Sequence, residues 1–446
     1  MHQIITAKLK LITTPEQLAL LRQTQLVYRD ALNYISRYAF EHGKLSNENR
    51  LRKEIYHDVR NRVKLPSQMT NNAIRQVSAT YRGLWTKFKK NTEHRRAGYT
   101  KKRFKGLDQV PKYVSPTVTY NYGYDYSFKS GQQVSILTLQ GRIIVPYQGY
   151  DRHVALIQHG GRIGAARLWY DKHHKQYYLL VSLELELLDP TPETLPDVVG
   201  VDVGMRYLAV TATLTNTSQF YSGKRVRARA DHYARLRKLL QKKGTRSATR
   251  RMIALSGRER RLKLHVNHTI AKSIVKAHPH TLIGIEDLTG IREHTKRRTR
   301  RRKKHGNGSE LMSRKARRSN RHASIWAFAE LHDIISYKAM LTGSFAIKVD
   351  AHYTSKACPV CGYTSDKNRP KQGLLFICQN PQCSYILHAD LVGARNIAMR
   401  TLLIRQDWVR TGVLSVRPNV SDDETKAARL ARYAELRWSS DTSPFC

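Results

Sequence analysis

The sequence has 446 residues, of which 40% are hydrophobic and 9% aromatic, a composition typical of folded globular proteins and not of disordered chains. It contains 79 lysines and arginines against 34 acidic residues, so its formal net charge is +45, which indicates nucleic acid as a polyanionic partner. The N-terminus MHQIITAKLK lacks the apolar stretch of a signal peptide, and no apolar run is long enough to span a membrane. We therefore expect a cytoplasmic protein that is associated with the nucleoid when it is bound to DNA.

The first part of the chain combines strand and helix patterns. A strand pattern over residues 3–12 is followed by Thr14-Pro15-Glu16-Gln17, which supplies an N-cap, a first-turn proline and a capping-box glutamine. A second helix is predicted to begin within LPSQMTNNAIRQV, where apolar residues recur at intervals of three and four. From about residue 110 to 188 apolar residues alternate with polar ones, which predicts an antiparallel, barrel-like β domain with the helices inserted after its first strand.

The second part of the chain follows a proline-rich linker. VVGVDVGMRYLAVTAT, residues 198–213, predicts a strand, a turn and a second strand, and TLIGIED and SFAIKVD predict two more strands. Two basic stretches lie among these elements: 16 of the 40 residues from 224 to 263, and 14 of the 31 residues from 292 to 322, are lysine or arginine. Such stretches suit contacts with a nucleic-acid backbone.

Three acidic residues stand in comparable positions. Asp202 lies between two valines in the first of these strands, Glu286 ends TLIGIE, and Asp390 opens the helical pattern of LHADLVGARNIAMR. An ionised carboxylate in an apolar strand is costly unless a cation compensates it. Acids on strands and on an adjacent helix are typical of an RNase H-like site, where two Mg²⁺ (or Mn²⁺) ions bridge the carboxylates and a phosphate. Alternatively, Glu286 or Asp390 only caps its own element, and spacing does not separate Glu286 from Asp287.

Four of the five cysteines form two pairs, in CPVC and CQNPQC, with 16 residues between the pairs. This spacing predicts a tetrahedral site for one Zn²⁺, as in a zinc ribbon. Because four thiolates leave no open coordination position, we expect the site to be structural. Its predicted ligands are Cys358, Cys361, Cys378 and Cys383.

The combination of motifs resembles TnpB, a family of transposon-encoded RNA-guided nucleases related to the type V CRISPR effectors. The resemblance covers almost the whole chain and rests on TTPEQ, GVDVG, GIEDL, the CPVCG ribbon and HADLVGARNIA, in this order. It implies an α+β multidomain chain, in which a wedge-type β barrel with an inserted helical recognition lobe precedes an RNase H-like (RuvC) nuclease domain that carries a zinc-ribbon insertion. Asp202, Glu286 and Asp390 match the family's three catalytic acids, and this match prefers Glu286 to Asp287.

The patterns and the resemblance together divide the chain into domains. The segment from residue 406 to 446, called here the tail, is expected to be poorly ordered and dispensable for cleavage. The predicted ranges are 1–12 and 95–190 for the barrel, 13–94 for the helical lobe, 191–197 for the linker, 198–352 and 387–405 for the nuclease domain, 353–386 for the zinc ribbon and 406–446 for the tail.

The resemblance implies an RNA-guided DNA endonuclease. Such a protein binds a structured guide RNA made from its own element, reads a short motif beside the target and cleaves double-stranded DNA in one RuvC site by two-metal hydrolysis. We expect one protein copy per ribonucleoprotein and no membrane partner. Gln68 and Asn72 are the nearest matches to the residues that read the flanking motif in the family. Alternatively, both are ordinary solvent-facing residues of their helix. Arginines of the second basic stretch are the other candidate contacts, namely Arg297, Arg298, Arg300, Arg301 and Arg302.

Two departures from the family pattern and several other functions stay open. Val392-Gly393 stands where relatives often carry Asn-Ala, and the basic insert at 292–322 is longer than in compact members; neither is expected to touch the metal ligands. The alternatives are a miniature type V CRISPR effector, a transposase that binds element ends without RNA, and a guide-directed repressor. Repressors of this kind lose the RuvC acids, which this sequence keeps, and no helix-turn-helix supports the transposase.

Overall fold

The structure, a computed structural model, forms two compact units, Met1–Glu186 and Leu187–Cys446, called here the N-terminal unit and the C-terminal unit. Among the described residues, no helix has both the length and the apolar composition that a membrane crossing requires. The described residues are 1–98, 100–115, 117–159, 161–171, 174–288, 300–302, 309–311, 313, 328–370, 373–415, 426–433 and 435–438.

The N-terminal unit is built on a seven-stranded antiparallel sheet in the order β2-β6-β7-β1-β5-β4-β3. The sheet curls into a nearly closed barrel, since the hydroxyl of Tyr120 in β2 donates to the carbonyl of Leu137 in β4, and that of Tyr126 in β3 donates to Gly164 in β6. The barrel-like β domain predicted from the alternating pattern is confirmed. Its strands are β1 (His2–Leu11), β2 (Val118–Tyr120), β3 (Tyr126–Lys129), β4 (Gln133–Thr138), β5 (Gly141–Gln148), β6 (Arg162–Asp171) and β7 (Gln176–Glu186).

Three helices follow β1, where the sequence pattern predicted two. They are α1 (Pro15–Glu41), α2 (Glu48–Val63) and α3 (Ser67–Arg96), and a further short helix, α4 (Asp151–Gln158), connects β5 to β6. The capping box of Thr14 and Gln17 starts α1 as expected. Helix α2 was missed because its buried stripe is narrow: Leu51, Ile55 and Val59 are its only buried residues.

The C-terminal unit is built on a mixed five-stranded sheet in the order β10-β9-β8-β11-β14. β8, β9 and β10 are antiparallel neighbours, whereas β11 pairs in parallel with both β8 and β14. The strands predicted within residues 198–213, TLIGIED and SFAIKVD are all present in this sheet. The strands are β8 (Asp197–Asp202), β9 (Tyr207–Thr213), β10 (Ser218–Ser222), β11 (Thr281–Glu286) and β14 (Phe345–Val349).

Helices pack on both faces of this sheet. One face of β8 and β11 forms a core with α6 (Arg246–Ala277) and α7 (Phe328–Met340). The opposite face packs against α8 (Ala389–Thr411). Helix α8 approaches closely at Gly200 and Gly284, which are paired across β8 and β11: a Cβ on Gly200 would overlap the backbone of Ala394 and Ala398. The remaining elements are α5 (Lys224–Lys243), β12 (Arg300–Arg302), β13 (Ser309–Leu311), β15 (Leu375–Ile377), β16 (Ile386–His388) and α9 (Lys426–Tyr433).

The tail predicted from residue 406 to be poorly ordered is partly packed, so that prediction is wrong for its described residues. Helix α8 continues to Thr411, and Trp438 is only 1% exposed. The indole N–H of Trp438 donates to Asn216 at 2.8 Å, and the Arg395 guanidinium lies 4.7 Å from its ring centroid. A single buried tryptophan leaves no periodic signal in the sequence, which is why the pattern did not reveal this anchor.

We predict that Trp438→Ala lowers the free energy of unfolding by about 3–5 kcal/mol, because it leaves a large cavity and removes the hydrogen bond from the indole to Asn216. The measurement is urea unfolding at equilibrium. Ile253→Ala is the matched control, since Ile253 is 69% exposed and its loss should change stability by less than about 0.5 kcal/mol. If both variants unfold at the same urea concentration, the tail is not anchored through Trp438.

Candidate active site

The three acids predicted from the sequence meet at one edge of the five-stranded sheet. Asp202 ends β8 and Glu286 ends β11, and because Val201 pairs with Ile285 in these parallel strands, the two acids follow side by side. Asp390 lies in the first turn of α8, whose N-terminus is beside them. All three are half-buried, whereas Asp287 is exposed, so the structure favours Glu286 over its neighbour as the inward-facing acid.

The acids destabilise one another's charged forms. Burial raises the pKa of Asp202 well above its usual value, and the charges of Glu286 and Asp390 raise it further. Burial also raises the pKa of Glu286, although its hydrogen bond from Thr354, 2.8 Å from oxygen to oxygen, opposes the rise. Neighbouring carboxylates that raise one another's pKa stay ionised only when a positive charge compensates them.

Arg369 supplies part of that charge from the segment between the two cysteine pairs. Its Nη2 donates to Oδ1 of Asp390 at 3.0 Å, and its charge lowers the pKa of both Asp202 and Glu286 against the effect of burial. The preceding Asn368 is fully buried and donates to the carbonyls of Lys356 and Tyr363, which fixes the direction of the segment. Sequence reasoning missed Arg369 because nothing local distinguishes it among 79 lysines and arginines.

Gly393 lies against Asp202, so the expectation that the Val392-Gly393 departure touches none of the predicted metal ligands is wrong. A Cβ at this position would lie 3.0 Å from Cγ and from Oδ2 of Asp202. The glycine therefore leaves Asp202 more room than the alanine that often stands there in the family pattern.

The three carboxylates fit a divalent cation of the Mg²⁺ type, since hard oxygen donors are the ligands that such ions prefer. Within the described part of the chain, the cysteines alone make a tight group of three or more potential ligands. The acids are thus arranged more openly, with Arg369 beside them.

The four predicted cysteines converge in the C-terminal unit. Their sulfur atoms lie within 4.8 Å of one another, with 3.8 Å between Cys358 and Cys383 and 3.6 Å between Cys361 and Cys378. A tetrahedron of Zn–S bonds requires sulfur separations of about 3.8 Å, so the cluster fits Zn²⁺. Burial alone would raise the pKa of Cys361, but hydrogen bonds from the Tyr363 backbone and neighbouring side chains outweigh it and bring this pKa to about 7. A thiol of this kind loses its proton readily to a metal.

The structure corrects the prediction for Asn72. Its side chain is 3% exposed and donates to the Thr119 carbonyl and to Asp125, while its own oxygen accepts from Asn121. With these bonds made inside the N-terminal unit, Asn72 does not present its amide to a base, nor is it a solvent-facing residue. Helix periodicity did not reveal this burial, because asparagine reads as polar wherever it stands.

The other nucleic-acid candidates stay predictions. Gln68 is half-buried near the start of α3. Arg297 and Arg298 lie outside the described residues, and Arg300, Arg301 and Arg302 form β12, of which only the backbone is described.

Comparison with known proteins finds similarity to RNA-guided nucleases and to a family described as a probable transposase. Residues 181–291 match the family OrfB_IS605, described as a probable transposase, and residues 328–397 match the Cas12f1-like TNB domain. The fold is similar to that of Cas12f1 in a complex with sgRNA and target DNA, with a TM-score of 0.51 and 15% identity over 86% of this chain and 83% of that one. It is also similar to the mini-RNA-guided endonuclease CRISPR-Cas_phi3, with a TM-score of 0.50 and 12% identity over 90% and 92% of the two chains.

Three relatives are similar in sequence. Cas12f2 of a Micrarchaeota archaeon is 26% identical over 51% of this chain and 40% of its own length, and the TnpB-like protein MJ0751 of Methanocaldococcus jannaschii is 29% identical over 37% and 54%. The chain thus spans about half the length of these two. The putative RNA-guided DNA endonuclease InsQ of Escherichia coli is 26% identical over 65% of this chain and 70% of its own. The resemblance predicted from the motifs is confirmed: the chain is a relative of the TnpB and Cas12f proteins.

The raised pKa of Asp202 predicts how stability depends on pH. When a carboxyl has a higher pKa in the folded than in the unfolded protein, the folded protein loses stability as the pH rises above the pKa of the unfolded chain, which is about 3.9 for aspartate. In EDTA, Asp202→Asn should therefore unfold at a higher urea concentration than the wild type, and the difference should grow as the pH rises above that unfolded value. Addition of Mg²⁺ at pH 8 should stabilise the wild type more than the variant.

The control for this experiment is Asp333→Asn, which changes an exposed acid of α7 in the same unit. It should show no gain that grows with pH. An Asp202→Asn effect that is constant or shrinks with rising pH would mean that Asp202 carries no electrostatic strain.

Proposed function

We propose that the protein is a transposon-encoded, RNA-guided DNA endonuclease that hydrolyses phosphodiester bonds at the site of Asp202, Glu286 and Asp390. The observation that carries the proposal is the convergence of these acids and Arg369 at one sheet edge. The relatives named TnpB-like protein and RNA-guided DNA endonuclease support it.

The C-terminal unit is proposed to be an RNase H-like domain of the RuvC type. Three antiparallel strands followed by two parallel ones, with helices on both faces, support this assignment. The ends of the two central strands then carry the first two acids, and the helix across the sheet carries the third. The four cysteines and the hairpin of β15 and β16 form the proposed zinc ribbon, which carries a structural Zn²⁺.

Each residue of the site has a proposed role. Two Mg²⁺ or Mn²⁺ ions held by Asp202, Glu286 and Asp390 would activate a water molecule and stabilise the leaving oxygen. Arg369 pairs with Asp390 and is 28% exposed on its side chain, so its guanidinium can donate to a phosphate oxygen that enters the site.

The partners proposed are a guide RNA derived from the element and double-stranded target DNA, with one protein copy in each ribonucleoprotein. The net charge of +45 supports a long contact with nucleic acid, because each neutralised phosphate releases counterions. Gln68 and the arginines at 297, 298 and 300–302 belong to this proposal as candidate contacts.

A miniature type V CRISPR effector is the second candidate function. The match of residues 328–397 to the Cas12f1-like TNB domain and the likeness to Cas12f2 favour it. The two candidates share the nuclease site and differ in the source of the guide. RNA that copurifies with the protein therefore distinguishes them: a transcript that ends beyond the element supports the transposon protein, and a repeat-derived transcript supports the CRISPR effector.

We predict that the protein, loaded with such an RNA, cleaves DNA that matches the guide. Asp202→Ala should abolish this cleavage and leave RNA binding close to the wild-type level, since the acid faces the proposed metal ions. Cleavage on gels and RNA binding by filter retention are the measurements, with Asp333→Ala as the control variant that keeps both activities.

Two results would overturn the proposal. Copurification of only heterogeneous cellular RNA, with no guided cleavage, would favour a transposase that binds DNA directly. Guided cleavage that survives in Asp202→Ala would place the nuclease site elsewhere.

A further inference from the structure

The segment from Asp350 to Ala357, called here the bridging segment, connects β14 to the first zinc-site cysteine and touches the acid cluster on the way. Thr354 is its contact with the cluster. This residue is 2% exposed, and its hydroxyl lies 2.8 Å from Oε1 of Glu286 and 3.2 Å from the carbonyl of Ala351. A hydroxyl carries one proton, and the nearer, charged acceptor takes the stronger hydrogen bond.

Helix α8 holds the bridging segment through two side chains that lie one turn apart. Asn396 donates from Nδ2 to the carbonyl of Thr354 at 2.7 Å and to that of Ala357 at 2.9 Å. Arg400 donates to the carbonyls of Asp350 and His352. Both side chains are 5% exposed, so these hydrogen bonds are shielded from water and costly to break.

The tail contacts Arg400 and the residues that follow the bridging segment. The ring centroid of Tyr433, in α9, lies 4.1 Å from the Arg400 guanidinium carbon, a distance typical of a cation–π contact. The backbone N–H of Trp438 donates to the carbonyl of Pro359 at 2.9 Å, directly after Cys358. The tail thus contacts Arg400, which holds the start of the bridging segment, and is hydrogen-bonded just beyond the segment's end.

We propose that Thr354 is a positioning residue that fixes the carboxylate of Glu286 for metal binding, and that Asn396 and Arg400 hold Thr354 in place. This inference rests on the proposed function. Glu286 has a flexible side chain at a strand end and is repelled by Asp202, so its carboxylate needs a hydrogen bond to stay turned toward the cluster. Because the same helix begins with Asp390, α8 sets the positions of the second and third acids together.

The test compares Thr354→Val, which keeps the shape and removes the hydroxyl, with Thr354→Ser, which keeps the hydroxyl. Hydrogen-bond partners of metal ligands typically contribute about 10–100-fold to metal affinity, so Thr354→Val should raise the Mg²⁺ concentration for half-maximal cleavage by about this factor. Thr354→Ser should stay close to the wild type. Binding of Mn²⁺ alone, followed by electron paramagnetic resonance on the RNA-loaded protein without DNA, should weaken in the same order.

The outcomes separate the inference from the proposed function. If the wild type cleaves and Thr354→Val requires no more Mg²⁺ and binds Mn²⁺ equally well, Thr354 does not position Glu286. If Thr354→Val merely lowers the melting temperature, with an unchanged Mg²⁺ requirement in the loaded fraction, its role is structural and the inference is wrong. If the wild type binds Mn²⁺ but cleaves no guided target, the proposed function fails, while the Mn²⁺ comparison still decides on Thr354.

Asn396→Ala serves where Thr354→Val yields no folded protein. It removes the two hydrogen bonds that Asn396 donates to the bridging segment and changes no residue that contacts the acids. The inference predicts a raised Mg²⁺ requirement and weaker Mn²⁺ binding for this variant also, and unchanged values would overturn it.

Discussion

The close packing of α8 on the central strands of the C-terminal unit determines where the site can form. Gly200 and Gly284 are paired across β8 and β11, and the space above Gly200 is filled by the backbone of α8. A helix that lies this close brings its first turn, with Asp390, to the ends of the same two strands. Because those strands end in Asp202 and Glu286, a single packing contact gathers three acids from distant parts of the chain.

The gathered acids repel one another, and much of the surrounding structure compensates for that repulsion. Burial and the neighbouring charges raise the pKa of Asp202, and the charge of Arg369, which pairs with Asp390, opposes this rise. The arginine comes from the segment between the cysteine pairs, and Thr354 comes from the segment just before them. The cysteine-bearing region therefore does more than stabilise the fold, because it delivers two of the groups that contact the acids.

The sequence revealed those parts of the site that break a local rule. An aspartate among valines and two close cysteine pairs are uncommon enough to predict a site, and the alternating residues of the barrel predicted its class of fold. Arg369 and Thr354 break no such rule, since arginine is abundant in this chain and threonine is common before a turn. Their roles arise from contacts between residues that are far apart in sequence.

The burial of several polar and aromatic side chains could not be predicted from the sequence either. Asn72 lies on a helix whose pattern marks it as polar, yet it is buried by a network with Asp125 and Asn121 that only the folded N-terminal unit creates. Trp438 is an anchor in a segment without periodicity, and α2 buries too few residues to give a strong helical pattern. Local propensity cannot report these features because their causes are tertiary contacts.

The most direct test of the central claim is a crystal of the protein soaked with Mn²⁺ and measured for anomalous scattering. The account predicts Mn²⁺ peaks in contact with Asp202, Glu286 and Asp390, and their loss in crystals of Asp202→Asn. Anomalous signal from Zn²⁺ at the four cysteines, measured at the zinc edge, would serve as the internal control. Crystals that show the zinc but no Mn²⁺ beside the acids would contradict the assignment of this cluster as a metal-dependent nuclease site.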